Sequence, residues 1–331
     1  MTTQRRDATT WLTRDEIRTL ARPSTFAGAR SVLVTWALIA GAFALLARFP
    51  HSVVAWLVAL VVLGGRQLAL AILMHECSHH SLFASPRLNE QLGTWLCAAP
   101  VWQRLVDYRA HHARHHAFTS LENDPDLGLT APFPTTRRAL ARKFARDLSG
   151  VAFARRVLAL LAMDAGWLSY TASTGARWLP RPSARQTLAN LARNTGPVLV
   201  TQAVLLLVLA ATGHAWLYAV WVLAWATTFS LFVRVRSIAE HAVTTPGLDP
   251  LGHTRTTRAN VLARLTVAPH DVNLHLEHHL LPSVPHYRLA QLQRLLRERG
   301  AYGEATVANG YLDVLRLAAP AAHLSRAGVE G

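Results

Sequence analysis

Two long apolar blocks constrain the fold of this 331-residue chain more than any other feature of its sequence. They run from about residue 31 to 74 and from about residue 197 to 233, and short turns at 49–52 and 212–214 interrupt them. A membrane-spanning helix needs about 20 apolar residues, so each block is too long for one span and suits two. We therefore predict an all-α integral membrane protein with four transmembrane helices in two hairpins, at about 31–48, 53–74, 197–212 and 215–233.

The basic residues predict the orientation of these spans. The formal net charge is +15, and nearly all of the 34 basic residues lie in the segments 1–30, 75–196 and 234–331. Arg48 lies at the edge of the first turn, and Arg66 lies inside the second span, where we expect a structural ion pair. By the positive-inside rule the three basic segments are cytosolic. We predict a single multi-pass domain over 1–331, which in a bacterium would lie in the inner membrane.

Composition argues against several other classes of protein. The arginines are dispersed between apolar blocks, so attraction to anionic lipids explains them better than a nucleic-acid partner, which we do not expect. Cys77 and Cys97 are the only cysteines, which fits a reducing compartment without a disulfide framework. The polar N-terminus does not resemble a cleaved signal peptide. Residues 92–106 and 151–170 are apolar but too short or too charged to span, and we predict that both lie at the membrane interface.

Three histidine clusters predict a metal centre. They are H75ECSHH80 after the second span, H111HARHH116, and H275LEHH279 in the C-terminal region. Residues three or four positions apart share a helix face, so eight imidazoles project from three faces on the predicted cytosolic side. One zinc ion is almost always held by four ligands, so eight suit two metal ions with open positions. Imidazole is compatible with several metals, and spacing alone does not name the metal.

The remaining histidines divide into two kinds. His241 follows the fourth span by about two helical turns, and we predict that it is a ninth ligand. The others stand alone, and we expect ordinary structural or surface roles for them: His51, His214, His253, His286 and His323. Several polar residues near the clusters are candidates to form a hydrogen bond with the imidazole nitrogen of a ligand that does not face the metal: Asp124, Asp126, Glu240, Asn273 and Glu277.

These clusters resemble the three histidine boxes of the membrane fatty acid desaturase family. The residues from Tyr108 to His116 and from Asn273 to Pro285, together with HECSHH, match the boxes in order, spacing and flanks, and E122NDPD126 is also similar. The resemblance covers roughly residues 12–295. It implies a helical cap that carries the boxes. It also implies two iron ions, which would be held by His75, His79, His112, His115, His116, His241, His275, His278 and His279. His80 and His111 match flanking positions of the boxes.

The same resemblance implies the activity and the partners. We expect O2-dependent desaturation of a fatty acyl chain or related lipid. Electrons would come from a separate carrier, a ferredoxin or a cytochrome b5-like protein, because the chain resembles family members without a fused cytochrome b5 domain. Hydroxylases and ketolases that act on lipids or carotenoids have similar boxes and remain open as alternatives.

Two more distant alternatives also remain. HECSH is an HExxH motif, in which Glu76 could serve as the general base of an intramembrane zinc protease. That function leaves the two other histidine clusters unexplained. A metal transporter would need ionisable residues in the middle of the membrane, and Arg66 is the only one that the predicted spans offer.

Overall fold

A helical hairpin forms the N-terminal part of the molecule. The structure is a computed structural model and describes residues 6–321. A short helix, α1 (Arg14–Leu20), precedes α2 (Thr25–Arg48) and α3 (Val53–Ser78). Ser24 and Ser52 begin the two long helices, because their side chains accept hydrogen bonds from backbone N–H groups of the first turn. Both helices are long and apolar enough to cross a membrane, and α3 continues past residue 74 into the first histidine box.

Short elements connect this hairpin to the second one. They are α4 (Pro86–Leu92), α5 (Leu105–Phe118), α6 (Leu127–Thr130), α7 (Arg137–Leu148), α8 (Val151–Asp164) and the antiparallel strands β1 (Leu168–Thr171) and β2 (Gly175–Trp178). A π-helical turn, Gly93–Ala98, and a 3-10 turn, Ala99–Val101, extend α4.

The segment 92–106, which the sequence predicts to lie at the membrane interface, is partly buried within the protein. Cys97 and Val101 are at most 1% exposed, although Trp95 and Leu96 face outward. The segment packs this closely because Gly93 has no side chain: a Cβ there would lie 2.7 Å from the Cβ of Cys77. By contrast, α8 exposes Leu158 and Arg155, as an amphipathic helix does.

The second hairpin consists of α9 (Ala184–Ala211) and a long helix, Leu217–His241, which is continuous through α10 (Leu217–Ala224), a π-helical turn (Trp225–Phe229) and α11 (Ser230–His241). Both helices are long and apolar enough to cross a membrane. The third span begins before the predicted residue 197, because Ser183 caps a polar first section of α9. The fourth continues beyond residue 233 and ends at His241.

The C-terminal part packs over the ends of the long helices. It contains α12 (Pro250–His253), β3 (Thr256–Thr257), α13 (Val261–Leu265), α14 (His275–Leu280), α15 (His286–Glu298), β4 (Val307–Ala308) and α16 (Tyr311–Ala318). β3 and β4 form a short parallel pair. The Glu16–Arg299 ion pair joins α1 to the end of α15. The predicted fold class, a helical protein with four apolar spans and a helical region that carries the histidine boxes, is confirmed.

The apolar core lies between the two hairpins. Ile39, Leu46, Leu63 and Trp221 are at most 1% exposed, and the ring of Trp221 stacks on that of Trp36 with 6.4 Å between centroids. The outward faces of the same helices remain apolar and exposed, at Leu33, Leu57, Val204 and Leu207 among others. Apolar faces of this extent on long helices are what a lipid environment requires.

Arg66 does not form the expected ion pair. Its guanidinium donates hydrogen bonds of 3.0 Å to the backbone carbonyls of Arg264 and Leu265, at the C-terminal end of α13. These carbonyls have no partner within the helix and carry its partial negative charge. Gly65 permits the approach, since a Cβ there would lie 2.0 Å from the Leu265 carbonyl oxygen. One guanidinium nitrogen of Arg66 is therefore bonded to the end of α13, which packs against the middle of α3.

Candidate metal centre

Nine histidines from four helices converge at one end of the two hairpins. His75 lies in the last turn of α3, and His79 is its C-cap. His241 ends α11. The others lie on α5 and α14, at positions three and four residues apart: His112, His115, His116, His275, His278 and His279. These are the nine histidines that the sequence predicts as ligands, and the structure divides them into two groups.

The first group, called here the five-histidine group, consists of His75, His79, His112, His116 and His278. One nitrogen of each ring lies within 4.8 Å of the corresponding nitrogens of the others. The Nε2 of His278 is 3.0 Å from the Nε2 of His75 and 3.1 Å from that of His116. The Nε2 of His116 is 2.9 Å from that of His112. The rings thus point their Nε2 atoms at a common centre.

The second group, called here the four-histidine group, consists of His115, His241, His275 and His279. The Nε2 of His241 lies 3.2 Å from the Nε2 of His115 and 2.8 Å from that of His275. The two groups are adjacent, since the ring centroids of His116 and His279 are 4.2 Å apart. A cavity of about 20 Å³ borders both of these rings and Thr119, with room for one water-sized molecule.

The nitrogen contacts fit a shared cation better than hydrogen bonds. An imidazole nitrogen has either one hydrogen or one lone pair, so the Nε2 of His278 cannot bond well to two neighbours at once. Two nitrogens about 2.1 Å from one ion, at right angles around it, would lie about 3.0 Å apart. The buried Nε2 atoms of His79 and His279 have no hydrogen-bond partner among residues 6–321. The donor set therefore fits two metal ions, one in each group.

Burial keeps these imidazoles neutral, as metal ligation requires. Burial lowers the pKa of His79 to about 3. It also lowers the pKa of His112, His278 and His279 well below the ordinary value. A lone pair on Nε2 is then available at neutral pH, provided that the hydrogen of the ring is on Nδ1.

Carboxylates lie at the Nδ1 side of three rings. Asp124 accepts a hydrogen bond of 2.9 Å from the Nδ1 of His115. A carboxylate oxygen of Glu240 is 3.5 Å from the Nδ1 of His275, and one of Glu76 is 3.3 Å from the Nδ1 of His75. A negative charge at Nδ1 favours the tautomer with its hydrogen there, which directs the Nε2 lone pair to the centre. The sequence predicts such roles for Asp124 and Glu240, but for Glu76 it suggests only a protease base.

Two rings have neutral partners that spacing does not reveal. The backbone carbonyl of His253 is 3.2 Å from the Nδ1 of His241, and the hydroxyl of Thr119 is 3.4 Å from the Nδ1 of His279. The ring of His253 also lies 6.0 Å from that of His279. His253 therefore borders the four-histidine group, although its sequence context predicts an ordinary structural residue.

Two of the predicted histidines, His80 and His111, lie away from both groups. His80 has a left-handed backbone, and its half-exposed ring faces Glu90 at 3.9 Å. His111 bonds to Asp126 at 2.9 Å, and this bond raises its pKa, in contrast to the ligands. Asp126 thus pairs mainly with His111 and is 3.9 Å from the Nδ1 of His115.

Asn273 and Glu277 also face away from the ligands. The Asn273 amide donates to the carbonyl of Thr257 at 2.9 Å. The buried carboxylate of Glu277 accepts hydrogen bonds from Thr256, Gln293 and Tyr302. Since Glu277 lies between His275 and His278 on α14, its side chain points to the opposite face of that helix. It joins α14 to α15 rather than supporting a ligand.

The other isolated histidines are mostly structural. His286 is buried, its ring lies 3.0 Å from the Ser31 hydroxyl, and its backbone N–H donates to Glu76 at 2.7 Å. His270, which the sequence does not single out, packs beside it and contacts Thr35. His51 and His214 lie in the turns of the two hairpins. His323 lies outside the described residues.

Comparison with known proteins places the chain in a family. A family model described as fatty acid desaturase matches residues 51–309. The chain belongs to the fatty acid desaturase family. This match confirms the family that the histidine boxes suggest, and it includes all nine converging histidines. The chain is thus a membrane protein of the oxidoreductase class.

Individual relatives of this desaturase-family chain are distant. It is 26% identical to the dihydrorhizobitoxine desaturase of Bradyrhizobium elkanii, over 88% of this chain and 82% of the relative. It is 23% identical to the acyl-lipid (9+3)-(E)-desaturase of Dimorphotheca sinuata, over 75% and 68% of the two chains. A β-carotene ketolase of Paracoccus sp. (strain PC1) is 34% identical, but over only 29% of this chain and 37% of the ketolase.

An apolar groove of about 820 Å³ lies between α2 and α9 in this desaturase-family chain. Trp36, Phe43, Leu96, Val204 and Leu217 are among the side chains that line it. At the end of the groove near the histidines, Val32 packs in a cluster with Met74 and Cys97. Tyr108 packs against this cluster, and its ring stacks on His112 with 5.2 Å between centroids. Apolar side chains thus extend from the groove to the five-histidine group.

Proposed function

We propose that this protein is an O2-dependent desaturase that acts on a fatty acyl chain or a related lipid, with two iron ions held by the nine converging histidines. The observation that carries the proposal is the division of these histidines into a group of five and an adjacent group of four, each with its Nε2 atoms at one centre. A single zinc site would use four ligands and leave the others without a role. The names of the relatives, two desaturases and a ketolase, support oxidation rather than hydrolysis.

The residues around the two groups have distinct roles in this proposal. Bound iron would supply the activation of O2 and the removal of hydrogen from an unactivated C–H bond. Asp124 holds the ring of His115 in the ligating orientation through a hydrogen bond, and carboxylate oxygens of Glu76 and Glu240 lie beside the Nδ1 atoms of His75 and His275. The small cavity beside His116 and His279 is large enough for one diatomic molecule. Six of the nine histidines are buried, which limits the access of bulk water to both groups.

The groove between α2 and α9 supports an acyl substrate. Its lining is almost entirely apolar, and a long hydrocarbon chain would fill it without leaving polar groups unpaired. The substrate headgroup would remain near the arginines at the histidine end of the molecule. A carotenoid has the same apolar character, so the lining of the groove suits it as well.

We also propose that the metal centre faces the cytosol and receives electrons from a separate ferredoxin or cytochrome b5-like carrier. The distribution of basic residues supports this orientation, because the turns at 49–52 and 213–214 lack lysine and arginine. Single cysteines introduced at His51 and Gly213 should react with a membrane-impermeant reagent from the outer side only. Labelling of these positions from the cytosolic side would reverse the orientation.

Metal analysis tests the core of the proposal. Protein purified and reconstituted with ferrous iron should hold about two irons per chain. His278→Ala should lose iron and activity together, since the Nε2 of His278 contacts two other ligands of its group. His80→Ala is the matched control, because His80 lies outside both groups, and it should retain both. Full iron occupancy and turnover in His278→Ala would contradict this ligand set.

Lipid profiling tests the reaction. Expression in a host with a defined lipid composition, followed by mass spectrometry, should reveal a product two mass units lighter than its precursor. A hydroxylated or ketonic product would instead support the second candidate, a hydroxylase or ketolase. The similarity of 101 residues to a β-carotene ketolase favours including carotenoids in that assay.

The geometry of Glu76 is unfavourable for the zinc protease. A general base must reach the water on the metal. Glu76 instead lies at the Nδ1 edge of His75, opposite to the Nε2 that faces the other histidines. Its second oxygen accepts hydrogen bonds from the backbone N–H of His286 and the hydroxyl of Ser81. A holoprotein with about one zinc and no iron would support the protease.

A further inference from the structure

An exposed aromatic and basic surface lies where the chain passes from β2 into α9. We call it the hairpin surface, and it consists of Trp167, Tyr170, Trp178, Arg181 and Arg185. Trp178 is 72% exposed and Tyr170 is 49% exposed. They share one face of the hairpin, because Leu168 pairs with Trp178 and side chains alternate along a strand. The guanidinium of Arg181 lies 5.8 Å from the centroid of the Trp167 ring.

The hairpin surface lies at the level where a long apolar helix begins. Ser183 caps α9, one of the four helices that are long and apolar enough to span a membrane. The tip of the hairpin is fixed to the metal-centre end of the molecule, because Ser173 donates to the carbonyls of Asp124 and Pro125. Gly128 permits this contact, since a Cβ there would lie 1.9 Å from the carbonyl oxygen of Ala172. The surface is thus placed at one boundary of the membrane.

The charge around the hairpin surface is strongly unbalanced. Between residues 127 and 196 the carboxylates are those of Asp147 and Asp164, and both are at most 2% exposed. Asp147 pairs with Arg234, and Asp164 accepts hydrogen bonds from Trp102 and Thr195. Exposed arginines of the same segment have no ion-pair partner among residues 6–321: Arg137, Arg138, Arg142, Arg146, Arg155, Arg177, Arg181, Arg185 and Arg193. The exposed charge of the segment 127–196 is therefore wholly positive.

We infer that the hairpin surface binds the headgroups of anionic phospholipids in the surrounding bilayer. Tryptophan and tyrosine favour the depth of the headgroups, and arginine bonds phosphate through two parallel N–H groups. Exposed apolar side chains flank the arginines, at Leu158 on α8 and Leu188 on α9, each 68% exposed. An acidic soluble protein would leave these leucines in water, whereas a bilayer buries them. The inference does not depend on the proposed function.

Lipid retention by the full chain in neutral detergent tests the inference. Native mass spectrometry with added phosphatidylglycerol or phosphatidylcholine should show preferential binding of phosphatidylglycerol. Arg181→Gln with Arg185→Gln should weaken that binding about fivefold for each arginine removed. The matched control is Arg14→Gln with Arg294→Gln, two exposed arginines far from the hairpin in sequence, and it should bind as the unchanged chain does.

Three results would overturn the inference. One is equal binding of the two lipids, and another is an equal loss in the hairpin and control variants. The third is unchanged phosphatidylglycerol binding with a reduced rate of electron transfer from an acidic ferredoxin, which would assign the surface to a protein partner. If the variants do not fold, the unchanged chain still gives a test, since its preference for phosphatidylglycerol should fall as salt is raised. A preference that salt does not change would count against the inference.

Discussion

Asp124 offers the sharpest test of how the protein holds its four-histidine group. The residue is 3% exposed, and its carboxylate accepts three hydrogen bonds of 2.9 Å. The donors are the Nδ1 of His115 and the backbone N–H groups of Ser120 and Asp126. Asp124→Asn keeps the size of the side chain and one acceptor oxygen but removes the charge and introduces a competing donor. We therefore expect His115 to lose its preferred tautomer while the loop keeps its fold.

The size of the effect follows from the bond that is lost. A hydrogen bond to a charged group contributes about 1.5–3 kcal/mol, and about 1.4 kcal/mol corresponds to a factor of ten in affinity. Changes to the partners of ligand histidines typically cost about 10–100-fold in metal affinity. We expect a loss in this range for the four-histidine group of Asp124→Asn. The five-histidine group should retain its iron, because Asp124 contacts none of its members.

Competition with a ferrous chelator measures this directly, with the iron per chain followed at increasing chelator concentration. The unchanged protein and Asp126→Asn should behave alike, since Asp126 bonds mainly to His111, which lies outside both groups. Thermal unfolding of the metal-free proteins checks that both variants fold. The reasoning fails if Asp124→Asn keeps both irons with unchanged affinity, or if Asp126→Asn loses as much.

Three further predictions follow from other contacts. Glu76→Gln should weaken iron binding by the five-histidine group about tenfold. Glu122→Gln, which changes an exposed carboxylate in the loop after α5, should leave iron binding unchanged. Chelator competition measures both affinities, and equal behaviour of the two variants would remove the role given to Glu76. The metal-free protein should lose stability on acidification from about pH 7 to pH 5. The pKa of His79 in the folded protein, about 3, lies below the ordinary 6.5, so the unfolded chain binds more protons as the pH falls through that window. A melting temperature that does not change over this range would refute the prediction. Asp164→Ala should destabilise the fold by about 3 kcal/mol or more, since this buried carboxylate bonds Arg104, Trp102 and Thr195. Denaturant unfolding measures the loss. The control is Asp313→Ala, which removes one member of an exposed ion pair on α16 and should have little effect.

Hydropathy predicts the apolar part of each long helix but not its ends. The sequence before residue 197 is too polar to be counted in a span, yet it is helical because Ser183 caps it and few residues in it oppose a helix. The π-helical turn at Trp225–Phe229 has no hydropathy signal either. The burial of the segment around Cys97 depends on the absence of a side chain at Gly93, which only the packed structure reveals.

Helical spacing predicts the converging histidines well, because positions three and four residues apart share a face whatever surrounds the helix. The partners of these histidines are set by tertiary contacts and are less predictable. Glu76 follows His75 directly, and adjacent residues on a helix do not share a face, so its approach to the Nδ1 of His75 has no periodic signal. Glu277 also lies between two ligand histidines of its box, but Thr256 and Tyr302 bond it on the other side of α14.

The two histidine groups have helices in common. On α5, His112 and His116 belong to the five-histidine group and His115 to the other; on α14, His278 belongs to the first and His275 and His279 to the second. Each helix is a rigid body with a rise of 1.5 Å per residue, so neither group can be ordered without largely ordering the other. The first ion to bind would therefore bear most of the entropic cost, and the second would bind more tightly. Iron loading of the unchanged protein should be cooperative, with few chains that hold a single ion, and a variant that weakens one group alone should increase their number.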